Sequence, residues 1–559
     1  MNRKIVLLVL VLLVAGVLTL RWWRAPGPPP ASVPLYTNLG SLHHPVSTQS
    51  PLAQQYFDQG LRLVYGFNHG EAIRSFEEAA RQDPNCAMAY WGIALALGPN
   101  INDPGDAARE KAAYEAVGKA LSVAQHASDA ERAYLDALAK RYSATGEAGG
   151  GAVMMPMPAG DAAVRYQAYA DAMVEVARRY PDDLDASTLY AEALMDLRPW
   201  DLWTKQGQPQ PGTLEIVATL ERVLAANPNH PGANHYYIHA VEASLQPERA
   251  LPAARRLPGL MPGAGHLVHM PAHVFMRLGL YEEATAHNAH AASVDEQYIQ
   301  DQHPDGIYPM LYYPHNLHFL WAAAAMEGRS AEAIRAAREL AEKAPVEMIR
   351  QAPLLEFFTP TALFALARFW KWDDILKEPS PPEDLRYTKA MWHYARGFAF
   401  AAKGNLEEAA AEERSLHSLA AQIPADQIVG SQSAPALVKI ASLVLASDLA
   451  ARRGQTDAAV ARLKEAVALE DGLRYDEPPP WYHPVRQRLG SVLLSAGRVN
   501  EAEAAFREDL KRNPQNGWSL YGLAQSLKAR NASAEAAAVE QQFKKAWARA
   551  DVELDASRL

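Results

Sequence analysis

Cysteine is nearly absent. Cys86 is the only one in 559 residues, so an internal disulfide is impossible and any metal site must be built from nitrogen and oxygen, with at most a thioether. Cys86 stands among Ala87, Met88 and Ala89 and reads as a small buried hydrophobe. Basic stripes are missing too: 54 Lys and Arg against 64 Asp and Glu leave a net charge of −10, which argues against a nucleic-acid partner. There is no Gly-rich phosphate loop, H-E-x-x-H zinc helix or nucleophile elbow, so ordinary nucleotide and serine-hydrolase chemistry has no support. Long β-branched runs are missing after the N-terminus, while Ala, Leu, Glu, Arg and Gln abound. The expectation is mostly helix, arranged as several domains or as one long repeat array.

A long hydrophobic run occurs at the start. Arg3 and Lys4 precede apolar residues from Ile5 to Leu20, closed by Arg21-Trp22-Trp23-Arg24. No A-x-A cleavage site follows directly, so residues 1–24 read as an uncleaved signal anchor with interfacial tryptophans. The expected topology is a single pass through the cell (inner) membrane with the repeat domain exported to the periplasmic side. Residues 25–50 read as a linker, proline-rich and extended from Pro26 to Pro34.

Beyond the linker the chain repeats with a period near 34. Gly60, Ala72, Phe76, Ala79 and Pro84 are spaced by 12, 4, 3 and 5 residues. Gly490, Ala502, Phe506 and Pro514 repeat the pattern, with Asp509 where a small residue is expected. Ala250, Ala254, Leu257 and Pro262, and Ala333, Ala337, Leu340 and Pro345, follow it more loosely. Gly397 with Ala409 and Gly454 with Ala459 mark weaker copies. This spacing resembles the tetratricopeptide repeat, in which small residues let two antiparallel helices pack closely. The resemblance implies an all-α, TPR-type α-solenoid, a right-handed superhelix with a concave groove. The segments are then N-terminal repeat-like helices at 51–144, a Gly/Pro/Met loop at 145–160 containing Met154 to Met157, central degenerate repeats at 161–345 and C-terminal repeats at 346–559. Insertions at Ile299 to Tyr313 and Asp471 to Trp481 are rich in aromatic residues and read as packed lids.

The central repeats carry eleven of the eighteen histidines, between His230 and His318. With repeat starts near 231, 265 and 314, His235, His239, His266, His269, His273, His315 and His318 recur at positions 2, 5 and 9, where Gly232 and Ala322 are the exceptions. Glu242 stands at position 12. These positions form one stripe on the first helix of each pair, the stripe that lines the groove in the tetratricopeptide family. Neutral imidazoles converging from adjacent helices with a carboxylate suit a transition metal, so these seven histidines and Glu242 are the expected ligands. Asn234, Tyr236, Tyr312, Tyr313 and Asn316 are candidates for orienting imidazoles or substrate. Met270 reads as core or groove lining, and His287 and His290 as outward-facing. His303 and Asp305 are placed to close over the groove. Asn68-His69 and Trp481-Tyr482-His483 are expected to shape turns.

Three functions fit this sequence. One is an exported metalloenzyme with Zn, Cu, Fe or Mn as its ion, of which affinity favours Cu and Zn. Another is a metal-free scaffold holding a peptide, protein or small-molecule ligand in the groove. The third is a metal carrier or sensor without turnover; a metal-free, pH-sensitive histidine cluster is a further reading of the stripe. Whether the chain is an enzyme stays open. Phe67-Asn68-His69 and His269-Met270-Pro271-Ala272-His273 also resemble stretches shared by exported bacterial tetratricopeptide proteins of no firmly assigned function. That resemblance implies a common site and names no reaction.

Overall fold

The computed structural model describes residues 33–145 and 157–555. Two compact units are distinguished, Met1–Tyr36 and Thr37–Leu559, and the second carries every helix among the described residues. The anchor expected over 1–24, most of the Pro26–Pro34 spacer, and Met154 and Met155 lie outside the described residues. The linker expected to run to residue 50 ends earlier. Leu39 is buried, Asn38 accepts a backbone hydrogen bond from Gly263, and His44 pairs with Asp185 at 2.9 Å.

Among the described residues the chain is all-α apart from one short strand pair, Ile428–Val429 with Gln432–Ser433. Helices follow one another in tetratricopeptide-like pairs joined by short turns. Examples are Pro51–Tyr65 with His69–Gln82, Tyr313–Met326 with Ser330–Lys343, and Val485–Ser495 with Val499–Arg512. Glycine makes the close packing possible. A Cβ on Gly60 or Gly92 would stand 2.6 or 2.5 Å from the Phe76 ring, and one on Gly490 or Gly522 would stand 2.6 or 2.3 Å from Phe506. Each phenylalanine therefore sits between two glycines of successive repeats. Asp509 departs from the small-residue pattern for a reason: buried, it accepts hydrogen bonds from Ser519 Oγ, Gln487 Nε2 and Asn516 Nδ2. It ties two repeats together through polar contacts.

The central repeats begin where the spacing places them, at Pro231, Gly265 and Tyr313. The middle one is interrupted. Pro271 has no N–H to donate, so Gly265–His269 and Pro271–Leu278 are separate helices; Met270 keeps helical angles between them and is fully buried. The next helix, Tyr281–Gln302, runs into the segment expected to be an insertion, and a π turn over Tyr308–Tyr312 leads into the Tyr313 helix.

The array also returns on itself. Gly279 lies against the Pro514 carbonyl, Trp518 Nε1 donates to Ala325 O at 2.9 Å, and Asp551 accepts from the Ser330 and Ala331 amides at 2.6 and 2.9 Å. Lys205 reaches the Asp471 carbonyl at 3.3 Å. The repeat spacing predicts an open groove. Instead the histidine face is roofed by residues of the 471–484 segment, because the C-terminal helices dock on the middle of the chain. The helix Ala434–Arg452 is long and apolar enough to cross a membrane, with a mean hydropathy of 1.6, yet most of it packs in the main core.

Candidate metal centre

Six of the seven expected histidines come together in two neighbouring groups. His235, His239 and His266 form one, and His269, His273 and His315 the other; in each, the candidate ligand nitrogens lie within 4.8 Å of one another. The spacing explains this. His235 and His239 are four apart on the Pro231–Glu242 helix, His269 and His273 four apart across the Met270 junction, and each pair shares a face. All but the partly exposed His315 are buried.

The second ring nitrogens fix the tautomers. His235 Nδ1 donates to Tyr65 O at 2.7 Å and His269 Nδ1 to Asn288 Oδ1 at 2.7 Å. Asn288 Nδ2 in turn donates to Ala284 O, which holds Oδ1 as the acceptor. His239 Nδ1 donates to Glu242 Oε1 at 2.9 Å, and His273 Nδ1 lies 2.7 Å from Glu242 Oε2 and 3.3 Å from Glu477 Oε2. The Nε2 atoms of His235, His239 and His269 are thereby left to face inward, with His273 Nε2 beside them. His269 Nε2 and His273 Nε2 are 3.1 Å apart, His235 Nε2 and His266 Nε2 are 3.2 Å apart, and His239 Nε2 is buried without a hydrogen-bond partner. Each pair needs a proton or a cation between its nitrogens, because facing lone pairs at such separations repel; the charged His273 supplies a proton to His269. Two nitrogens bound at about 2.0–2.1 Å to one tetrahedral ion stand about 3.3–3.4 Å apart.

Electrostatics favour neutral imidazoles over most of the cluster. Burial, reinforced by neighbouring histidines, holds His235, His266, His269 and His315 far below the ordinary histidine range. Burial also lowers His239, although Glu242 opposes it. His273 is the exception: burial acts against its charge, but Glu242 and Glu477 outweigh it and push the imidazole up to about 10. Burial likewise opposes the Glu242 charge, but His273 and His239 hold its carboxyl down at about 2.

Several sequence expectations need correction. Glu242 is at the site, but on the Nδ1 side of His239 and His273, in a third group with His273 and Glu477. His318 belongs to none of these groups. It packs against Phe357 and Phe358, and burial lowers it to about 3. Asn234 bonds to the Pro228 and His230 carbonyls and to Arg256 instead of an imidazole. Asn316 donates to Asp295, and Tyr313 faces Lys343. His303 and Asp305 are exposed and do not close over the site; His290 is exposed, while His287 is half-buried against Phe275. Tyr236 and Tyr312 do lie at the cluster, with ring centroids 5.3 Å from His235 and 4.6 Å from His266. Asn68 shapes a turn as expected, capping the His69–Gln82 helix, and the buried His69 beside it is lowered to about 4 by burial and then by Arg109.

The sequence reading missed Asn288, Tyr65, Phe67, Trp200 and Glu477. Phe67 and Trp200 adopt left-handed backbone angles, φ 54° and 58°, that turn their rings onto the histidines. Phe67 lies 4.5 Å from His235 and 5.5 Å from His266, and Trp200 5.2 Å from His239. The F-N-H stretch carried a signal for Phe67. Glu477 lies in a segment recognised as a lid, but nothing local marked it as reaching His273.

An apolar cavity opens on this cluster. His239, His266, His273 and His315 contribute to its wall, together with Trp321, Phe364, the Pro478–Pro480 run and Trp481.

No family model and no curated protein matches the chain. Among solved structures, the human IFIT1 dimer with m7Gppp-AAAA is 11% identical over 89% of this chain and 90% of that one, with a TM-score of 0.30. The human IFIT1 dimer with PPP-AAAA is 13% identical over 90% and 92%, with a TM-score of 0.33. Yeast Tom70 is 12% identical over 88% and 90%, with a TM-score of 0.28. Similarity at this level is no guide to the site or its ligand.

Proposed function

We propose that this chain is a metalloprotein that holds transition-metal ions on His235, His239 and His266 and on His269, His273 and His315, beside a cavity for a small organic substrate. The observation that carries this reading is the orientation of the imidazoles. On His235, His239 and His269 the Nδ1 atom donates to a carbonyl, carboxylate or amide oxygen, which leaves the Nε2 lone pairs for an ion; His273, an imidazolium beside Glu242 and Glu477, would release its proton on binding. Glu242 then acts from behind, orienting two imidazoles and balancing charge. A bound ion would supply Lewis acidity, polarising a substrate oxygen or acidifying a bound water. The protein's own part is to hold every ligand but His273 neutral, to orient them, and to exclude bulk water with Phe67, Trp200 and Tyr312. Nitrogen and oxygen ligands favour Cu or Zn over Fe or Mn on affinity.

The partly roofed, aromatic-walled cavity supports this reading over a scaffold for an extended peptide, which needs an open groove. Single-pass anchoring in the cell membrane and export of the repeats belong to the same proposal and rest on the Ile5–Leu20 run. Elemental analysis of untagged full-length protein tests the metal reading: up to two ions per chain are expected, with loss on His239→Ala and His269→Ala. Protein that takes up no Cu, Zn, Fe or Mn at equimolar supply would sink it. Turnover of a small substrate only in the loaded form separates an enzyme from a carrier.

A further inference from the structure

A second cavity, of about 420 Å³, shares Arg368, Trp481 and Tyr482 with the one at the histidines. Its wall includes Trp370, Trp372, Phe398 and Trp518, and no carboxylate is among its lining residues. Two lining arginines have a carboxylate contact: Arg452 and Arg488 share Asp448. Arg368 has no such partner.

Arg368 is 2% exposed, and its guanidinium lies 3.8 Å from the Trp518 ring centre. Nη2 donates to Gln487 Oε1 at 2.8 Å, a neutral acceptor whose own amide nitrogen is used by Asp509 and Asn516. Nη1 is buried with no hydrogen-bond partner, and so is Nε2 of His483 on the same wall. Asp509 acts on Arg368 only at a distance, and burial brings the guanidinium down to about 9. A buried cation without a counter-ion costs several kcal/mol, so a fold retains one where something else supplies the negative charge. The planar fork of arginine matches a carboxylate with two parallel hydrogen bonds.

We propose that this cavity binds a small aromatic carboxylate, its carboxylate taken by Arg368 with His483 and its ring held among the tryptophans. Of the three lining arginines only Arg368 lacks a carboxylate contact, so the ligand's carboxylate is placed there. The tryptophan rings favour an aromatic acid over inorganic phosphate, which has no ring to stack on them. Because the site is built from Arg368 and His483, it stands whether or not the histidines hold a metal.

Calorimetric titration of the full-length chain, metal-free and metal-loaded, with phenylacetate, 2-phenylacetamide and inorganic phosphate tests this proposal. Phenylacetate should bind in both forms, raise the melting temperature, and bind at least tenfold tighter than the isosteric amide. Arg368→Gln should remove that preference, and His483→Phe should weaken the acid at least threefold without changing the amide. If Arg368→Gln does not fold, the acid–amide comparison and His483→Phe still decide. Equal binding of acid and amide, tighter binding of phosphate, no binding of phenylacetate, or full affinity in Arg368→Gln would each overturn it. Metal uptake measured in the same samples reports separately on the histidine site.

Discussion

At the scale of single residues, the partners behind the ligands decide the site. Asn288 fixes His269 Nδ1 as a donor and otherwise bonds only within its own helix, so Asn288→Ala should lower metal affinity by about 10- to 100-fold, read by chelator competition. Unchanged affinity would remove Asn288 from the site. A separate residue-scale test lies at Asp185, which accepts from Tyr65 Oη at 2.6 Å and contacts His230 at 3.1 Å and His44 at 2.9 Å. Burial opposes the Asp185 charge, yet His230 and His44 hold it well below its usual range; its contribution is full above about pH 4 and is lost in stronger acid. Burial opposes the His44 charge too, but Asp185 outweighs it and raises the imidazole. That stabilisation is full below the ordinary histidine value of 6.5 and is lost as pH rises through the raised one. The melting-temperature gap between wild type and His44→Asn should therefore shrink from pH 6 to pH 9. A constant gap would show that the ion pair contributes nothing.

At the scale of elements, the glycine–phenylalanine interlock governs how closely helix pairs stack. Gly490→Ala puts a methyl 2.6 Å from Phe506 and should cost about 1–3 kcal/mol, measured by denaturant titration. Gly118→Ala, inside a helix with nothing within 4 Å of the new Cβ, should instead stabilise by about 0.5–1 kcal/mol. Much of this scale was legible in the sequence. Gly60, Phe76, Gly490 and Phe506 announced the pairs because small and large residues recur wherever two helices must approach. The histidine stripe was legible for the same reason, since residues four apart share a helix face whatever the rest of the chain does. The break at Met270 was visible as a proline, but its harmlessness to the stripe was not, because Met270 keeps helical angles only in its packed surroundings.

At the scale of the whole molecule, docking of the C-terminal helices onto the middle repeats closes the site. Gly279 carries φ 71°, and its Cβ would lie 2.2 Å from the Pro514 carbonyl oxygen. Gly279→Val should therefore loosen this contact. Amide exchange in the Gly265–His269 and Pro271–Leu278 helices should quicken, and the Glu477 carboxylate should withdraw from His273. Exchange unchanged from wild type would mean that the closure does not depend on this contact.

Sequence alone determined the helical class, the close-packed pairs and the stripe that carries six of the grouped histidines, because periodicity and side-chain size act within a repeat or between neighbours. Tertiary structure decided the rest. It left His318 outside the two histidine groups, against two phenylalanines, and set Glu242 against the Nδ1 atoms of His239 and His273. It brought Glu477 to His273 and left Arg368 buried without a counter-ion. The last two outcomes depend on contacts between residues more than a hundred positions apart, set by how a long array closes, which no local spacing encodes.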